Sequence, residues 1–289
     1  MNGRGGKATD YLYAAAAPIT WGTTYFVTTT FLPPDHPLMA ALLRALPAGI
    51  LLLAIARQLP AGIWWFRVAL LGFLNFSLFF PMLYVSAYRL PGGVAATVVS
   101  AQPLLVVFLS RWILGKLISA RALAAAIAGI GGVAMTVLTP AAQLDLVGVF
   151  AGLIGAGSMA TGVVLSRRWN PEVPPLVFTA WQLTAGGLAL VPAALLFEWP
   201  TAPLTGMNLA GFAYLSFVGC ALTYVLWFRG IARLETTSVA RLALLSPITA
   251  TVLGVLLAGE RLSMLQVAGI AIVVTSMAVG GGVSSPRPP

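Results

Sequence analysis

ALLRALPAGILLLAIA, residues 41–56, holds one charge and no alternation of apolar and polar side chains. A membrane-spanning β-strand alternates over about ten residues. A helix satisfies its own backbone and needs about 20 mostly apolar residues to cross the hydrocarbon core. Extended back to Pro37, the stretch reads as one transmembrane helix.

The same reading extends outward along the chain. It predicts ten spans, at 11–31, 37–56, 66–87, 92–112, 119–138, 144–165, 175–197, 207–228, 236–258 and 262–281. The connectors LPPDH, RQLPAGIWW, RRWNPEVPP and EWPTAP carry the prolines, glycines and charges that end helices. Composition agrees: of 289 residues 59% are hydrophobic and 8% charged, against about a quarter charged in soluble domains. Arg4 and Lys7 precede an apolar run that continues to Phe31 without a small-residue cleavage site, so the first helix reads as uncleaved. The tail SSPRPP reads as a short polar end.

The formal charge of +9 does not point to nucleic acid, because the 16 Lys and Arg are scattered between apolar runs. With the N-terminus inside, twelve of them face the cytoplasm, and only Arg89 and Arg261 face out. Arg44 and Arg241 fall inside spans. Trp64, Trp65, Trp112, Trp169 and Trp199 stand at span ends, as interface anchors do. The single Cys220 makes no intrachain disulfide, and the single His36 lies in a proline-rich loop. No metal site and no cofactor is expected.

The chain repeats itself. At an offset of 144 residues, 87–119 lies on 231–263 without gaps, matching Arg89 with Arg233, Pro103 with Pro247 and Gly115 with Gly259. A second match sets PLMAALLRALPAG (37–49) on PLVFTAWQLTAGG (175–187), with Arg44 opposite Gln182. Five spans per copy is an odd number, so the second copy enters the membrane upside down. The expectation is an all-α integral membrane fold of ten helices in two inverted repeats, 1–140 and 141–289, the architecture of alternating access.

LSPITATVLG (245–254), GERLSMLQVAGI (259–270) and the pair Trp21-Gly22 resemble the drug/metabolite transporter superfamily, in its ten-helix EamA-like branch. That resemblance covers nearly the whole chain. It implies both termini inside a bacterial inner membrane and export or uptake of small metabolites such as amino acids, with export the direction it favours. Lys116 departs from the pattern, because many relatives are acidic there.

Polar groups in such a bundle face its interior. Trp21, Tyr25 and Thr28 share one face of the first helix. Arg44, about 11 Å below the outer end of its helix, has no acidic residue within any span to pair with. Its planar fork suits a substrate carboxylate, and snorkelling to the surface is the competing reading. Asn75, Gln102, Gln182 and Tyr224 are mid-span hydrogen-bonding groups from four helices, with Trp181 on a neighbouring wall. Pro103 and Pro247 each remove a backbone donor mid-helix, freeing the carbonyls of Val99 and Ala243 and bending the helix as a hinge would. The all-small fifth helix and its mate, the tenth, read as scaffold or oligomer contacts.

A carrier of small carboxylate-bearing metabolites in a lipid bilayer follows, driven by the substrate gradient because no Asp, Glu or His lies mid-membrane. The alternatives are a proton-coupled drug/metabolite antiporter, an intramembrane enzyme and a channel. An enzyme would need a nucleophile with its base, or a held metal. A channel would need charged rings or a carbonyl filter.

Overall fold

The computed structural model describes residues 3–115, 120–137, 145–198, 203–234 and 242–280. Every regular element among them is helical. Lys116, Trp199, Arg241 and Arg287 lie outside the described residues.

Six described helices are long and apolar enough to cross a membrane. They are α2 (Pro37–Ala56), α3 (Trp64–Arg89), α4 (Gly92–Leu114), α6 (Leu146–Trp169), α7 (Pro175–Phe197) and α8, whose apolar span is Gly206–Trp227. The N-terminal helix α1 (Gly3–Phe31) has 29 residues. Shorter helices are α5 (Ala120–Val137), α9 (Leu245–Leu256) and α10 (Met264–Gly280).

Glycine lets these helices touch backbone to backbone, which is how packing holds helices together in lipid. Gly49 of α2 abuts Leu183 and Thr184, while Gly187 of α7 abuts Leu46. These two glycines are matched in the alignment of 37–49 on 175–187. Gly132 and Gly269 bring α5 against α10 in the same way. Gly129, part of the Ala125-x-x-x-Gly129 spacing, packs on Leu104 of α4 and Ser276 of α10. The helix pairs are α2 with α7, α5 with α10, α1 with α8 and α9, and α6 with α3 and α4.

The interiors of α3 and α8 depart from regular α-geometry. Phe73–Leu78 and Tyr214–Leu222 are π-helical, and both stretches end at positions related by the 144-residue offset. A π-helical insert widens the turn and re-aims side chains, and it recurs at functional sites.

Pro103 and Pro247 do not bend continuous helices. The α-helix Gly92–Val99 stops, Ser100 and Ala101 form a turn, and Gln102–Leu114 starts afresh with Pro103 in its first turn. Pro247 likewise sits in the first turn of Leu245–Leu256, after a turn at Ala243 and Leu244. A missing N–H is tolerated there, because the first-turn donors have no helical partner anyway. The Ala243 carbonyl is not freed either, since it accepts from the Ser246 N–H at 3.2 Å. Each proline therefore follows a helix break. Both of these broken helices have a left-handed glycine just beyond their end, Gly115 and Gly259, each at φ 68°.

Carboxylates close one end of the bundle by capping helices, where the helix dipole favours negative charge. Glu260 accepts from the Gly92 N–H at 2.6 Å, and Glu198 accepts from the Met39 N–H at 2.9 Å. Gly254 leaves the room that the Glu260 carboxylate fills. Asp145 caps α6 and pairs with Arg89, whose hydrogen bond holds the Asp145 carboxyl below its ordinary range. At the opposite end Asp10, buried within α1, pairs with Arg229 at 3.0 Å and Arg233 at 3.5 Å.

Candidate functional site

Arg44 is only 4% exposed, so it does not snorkel to the surface. Its Nη2 donates to the Gly219 carbonyl at a long 3.5 Å. Nε and Nη1 have no hydrogen-bond partner, and none of the ion pairs among the described residues includes Arg44. The guanidinium lies over the Phe80 ring, 4.7 Å from its centroid. Tyr84 and Cys220 lie beside it, and Tyr25 and Tyr224 are close enough to feel its charge. The Tyr84 hydroxyl is itself buried without a partner.

An unpaired cation buried in lipid is costly, as is each unmade hydrogen bond on it. Arg44 Nε and Nη1, with the Tyr84 phenol beside them, are the complement of a carboxylate. Aromatic rings continue from this point. Phe80 packs on Phe76 at 5.3 Å, Phe76 on Tyr224 at 6.2 Å, and Tyr224 on Trp21 at 5.8 Å between centroids. Trp21 also meets Trp227 edge-on at 5.4 Å, and its indole N–H donates to Thr223 Oγ1 at 3.1 Å.

Arg44, Tyr25, Tyr224 and Trp21 thus form one connected group, by charge or by stacked rings. Other residues expected at the site fall elsewhere. Asn75 donates to Gln182 Oε1 at 2.6 Å, and Gln182 Nε2 donates to the Phe178 carbonyl at 3.3 Å. That pair is a cross-link between α3 and α7. Trp181 gives its indole N–H to the Gln58 carbonyl at 2.6 Å and packs with Val68 and Val177 in a separate apolar cluster. Gln102 is half-buried at the α4 break and is hydrogen-bonded to neither group among the described residues. The Thr28 hydroxyl bonds its own helix, to the Thr24 carbonyl at 2.7 Å.

Tyr84, Cys220 and Gly219 are the neighbours of Arg44 that sequence reasoning missed. One signal for them was present: the 144-residue offset sets Gly219 opposite Asn75, as the other alignment sets Arg44 opposite Gln182. Both pairs, Arg44 with Gly219 and Asn75 with Gln182, are in contact in the structure.

Comparison with known proteins decides the family. The EamA-like transporter family is matched over residues 9–138 and again over 146–279. The chain belongs to the EamA-like transporter family. Among its relatives, Protein PecM of Dickeya dadantii is 42% identical over 269 residues, covering 92% of this chain and 90% of that protein. An uncharacterized inner membrane transporter of Escherichia coli, YedA, is 29% identical over 261 residues, covering 89% and 85%. A probable amino-acid metabolite efflux pump of Escherichia coli is 25% identical over 292 residues, covering 93% of each. A solved crystal structure superposes at TM-score 0.67 with 21% identity, covering 94% of this chain and 97% of that one, a likeness of fold. This EamA-like chain is therefore a membrane transporter, and its buried Arg44 group is the candidate for what it carries.

Proposed function

We propose that the protein carries small carboxylate-bearing metabolites, foremost amino acids, out across a bacterial inner membrane by alternating access. The observation that carries this reading is the buried Arg44 guanidinium, with two nitrogens unpartnered and Tyr84 unpartnered beside it. A carboxylate would satisfy both, and the rings of Phe80, Phe76, Tyr224 and Trp21 would line the path of a side chain. Direction and amino acids rest on family likeness, including the relative named as a probable amino-acid metabolite efflux pump.

Alternating access rests on the halves 1–140 and 141–289 being inverted copies of five helices each. Three observations support that. The family is matched once in each half. The π-helical stretches and the proline-led helix breaks occur in corresponding helices. The packing pairs also exchange with one another: α1 with α9 corresponds to α6 with α4, and α1 with α8 to α6 with α3. On this topology both termini and Arg167–Arg168 face the cytoplasm, and Asp145, Glu198 and Glu260 face out.

Transport follows the substrate gradient. Glu260, the acid best placed to be drawn into a cavity, already serves the N-terminus of α4 through the Gly92 N–H. Proteoliposome counterflow across the twenty amino acids tests the function. Saturable exchange of one or a few of them, unchanged by an imposed pH step, is expected. Uphill accumulation driven by that step, and lost in Glu260→Gln, would favour the proton-coupled antiporter; absence of saturation would favour a channel.

A further inference from the structure

Arg89 ends the α3 segment Phe79–Arg89, and Arg233 ends the α8 segment Thr223–Arg233. Each is followed by a leucine in extended conformation, Leu90 at φ −123° and Leu234 at φ −108°. The two arginines are partners at the 144-residue offset. Each reaches an aspartate in the N-terminal part of a neighbouring helix, Asp145 at the N-cap of α6 and Asp10 in the third turn of α1. Arg89 pairs with Asp145, immediately before the second family match at 146, and Arg233 pairs with Asp10, at the beginning of the first match at 9. The two ion pairs therefore stand at opposite ends of the bundle and tie corresponding helices, α3 to α6 and α8 to α1. Between them lie Arg44 at 4% exposure and Cys220 at 1%.

We propose that Arg89–Asp145 and Arg233–Asp10 are a matched pair of ionic latches, one on each face, and that parting one of them admits substrate to the Arg44 group from that side. The proposal rests on the alternating-access reading above. In the structure both latches are made and the central group is shut off from both faces, as an occluded carrier would be. Inversion requires such a device to come in twos.

The two latches are unequal. Asp10 takes a second arginine, Arg229 at 3.0 Å, and its side chain is 11% exposed against 34% for Asp145. Arg229 has no counterpart in the first half, where the offset sets Val85. The Asp10 latch is thus the stronger, and its loss shifts the protein further.

Cys220 is the sole cysteine of the chain and lies beside Arg44. It therefore reports which face reaches the site. The test measures mixed-disulfide formation at Cys220 with a membrane-impermeant methanethiosulfonate reagent, which releases methanesulfinate, in right-side-out and in inverted vesicles. Asp145→Asn should speed labelling from the Asp145 face by about two- to fivefold, the factor an exposed ion pair supplies. Asp10→Asn should speed it from the opposite face, and by more. The charge exchange of Arg89→Asp with Asp145→Arg should bring the rates part of the way back to wild type, short of it because the exchange also removes the carboxylate that caps α6, and a merely misfolded single variant would show no such return. Wild-type labelling from both faces, with a ratio that neither aspartate variant moves, would overturn the latches and leave the carrier standing. Cys220 closed to both faces in the wild type and in every variant would remove alternating access and the latches together.

Discussion

Arg44 of α2 and Gln182 of α7 hold corresponding places, each eighth in its helix and each reaching across to the π-helical part of a neighbour. Their environments differ in one respect that matters. The amide of Gln182 has its partners, Asn75 on one side and its own helix on the other. The guanidinium of Arg44 lies over Phe80 and has one long bond, to the Gly219 carbonyl that Thr223 Oγ1 also bonds at 2.9 Å, while Nε and Nη1 have no well-formed hydrogen bond. The α3–α7 contact is a neutral cross-link that leaves only Asn75 Oδ1 over. The Arg44 contact carries a charge and has no acidic partner among the described residues. A neutral amide pair contributes to holding helices together, and a buried cation without a counter-charge needs one from outside the protein.

That contrast can be broken most sharply by exchanging the roles. Arg44→Ala should raise the KM for substrate about tenfold or more, since hydrogen bonds to a charged group are worth about 1.5–3 kcal/mol. Arg44→Lys should also weaken transport, because a point charge does not replace a two-pronged fork. Arg44→Met, of similar volume, should raise the KM as Arg44→Ala does and yet raise the thermal stability of the purified protein, by removing an uncompensated buried charge. Lower stability would mean that the guanidinium is a structural group after all.

Gln182→Met should do the opposite. It strands the Asn75 amide and should cost about 1–2 kcal/mol of stability, with the KM unchanged in proteoliposome uptake. A rise in KM there would return Gln182 to the substrate site. The proline variants are expected to have smaller effects. Pro103→Ala and Pro247→Ala restore a backbone donor in a first turn, where the loss was tolerated, so each should lower the maximal rate a few-fold and leave the KM alone. Unchanged maximal rates would make both helix breaks static features of packing. The smallest effect is expected for Trp21→Phe, which keeps one ring against Tyr224 and Trp227 but loses the bond to Thr223, and should cost about 1 kcal/mol of stability.

Membrane-length helices were legible because lipid imposes length and apolarity on any segment that crosses it. Arg44 was legible for the same reason, since a charge amid ALLRALPAG must have a cause. Depth along a helix is readable from residue number, but the direction around its axis, once helices are packed, is not. Asn75, Gln102, Gln182 and Trp181 have the right depth and point to different neighbours. The π-helical stretches made this worse, because residues past Phe73 and Tyr214 no longer follow a 3.6-residue register. Tyr84 and Cys220 come beside Arg44 from beyond the start of such a stretch or from within it. Pro103 and Pro247 were recognised as paired, yet a proline in a bend and a proline opening a new helix have the same signature in sequence.

The central claim is that Arg44 is there for a carboxylate. Counterflow inhibition should be measured for a transported amino acid and for its uncharged carboxamide, in the wild type and in Arg44→Gln. The account predicts that the wild-type protein prefers the carboxylate by about tenfold or more and that Arg44→Gln accepts both alike. A variant that still transports and keeps the full preference for the carboxylate would contradict it.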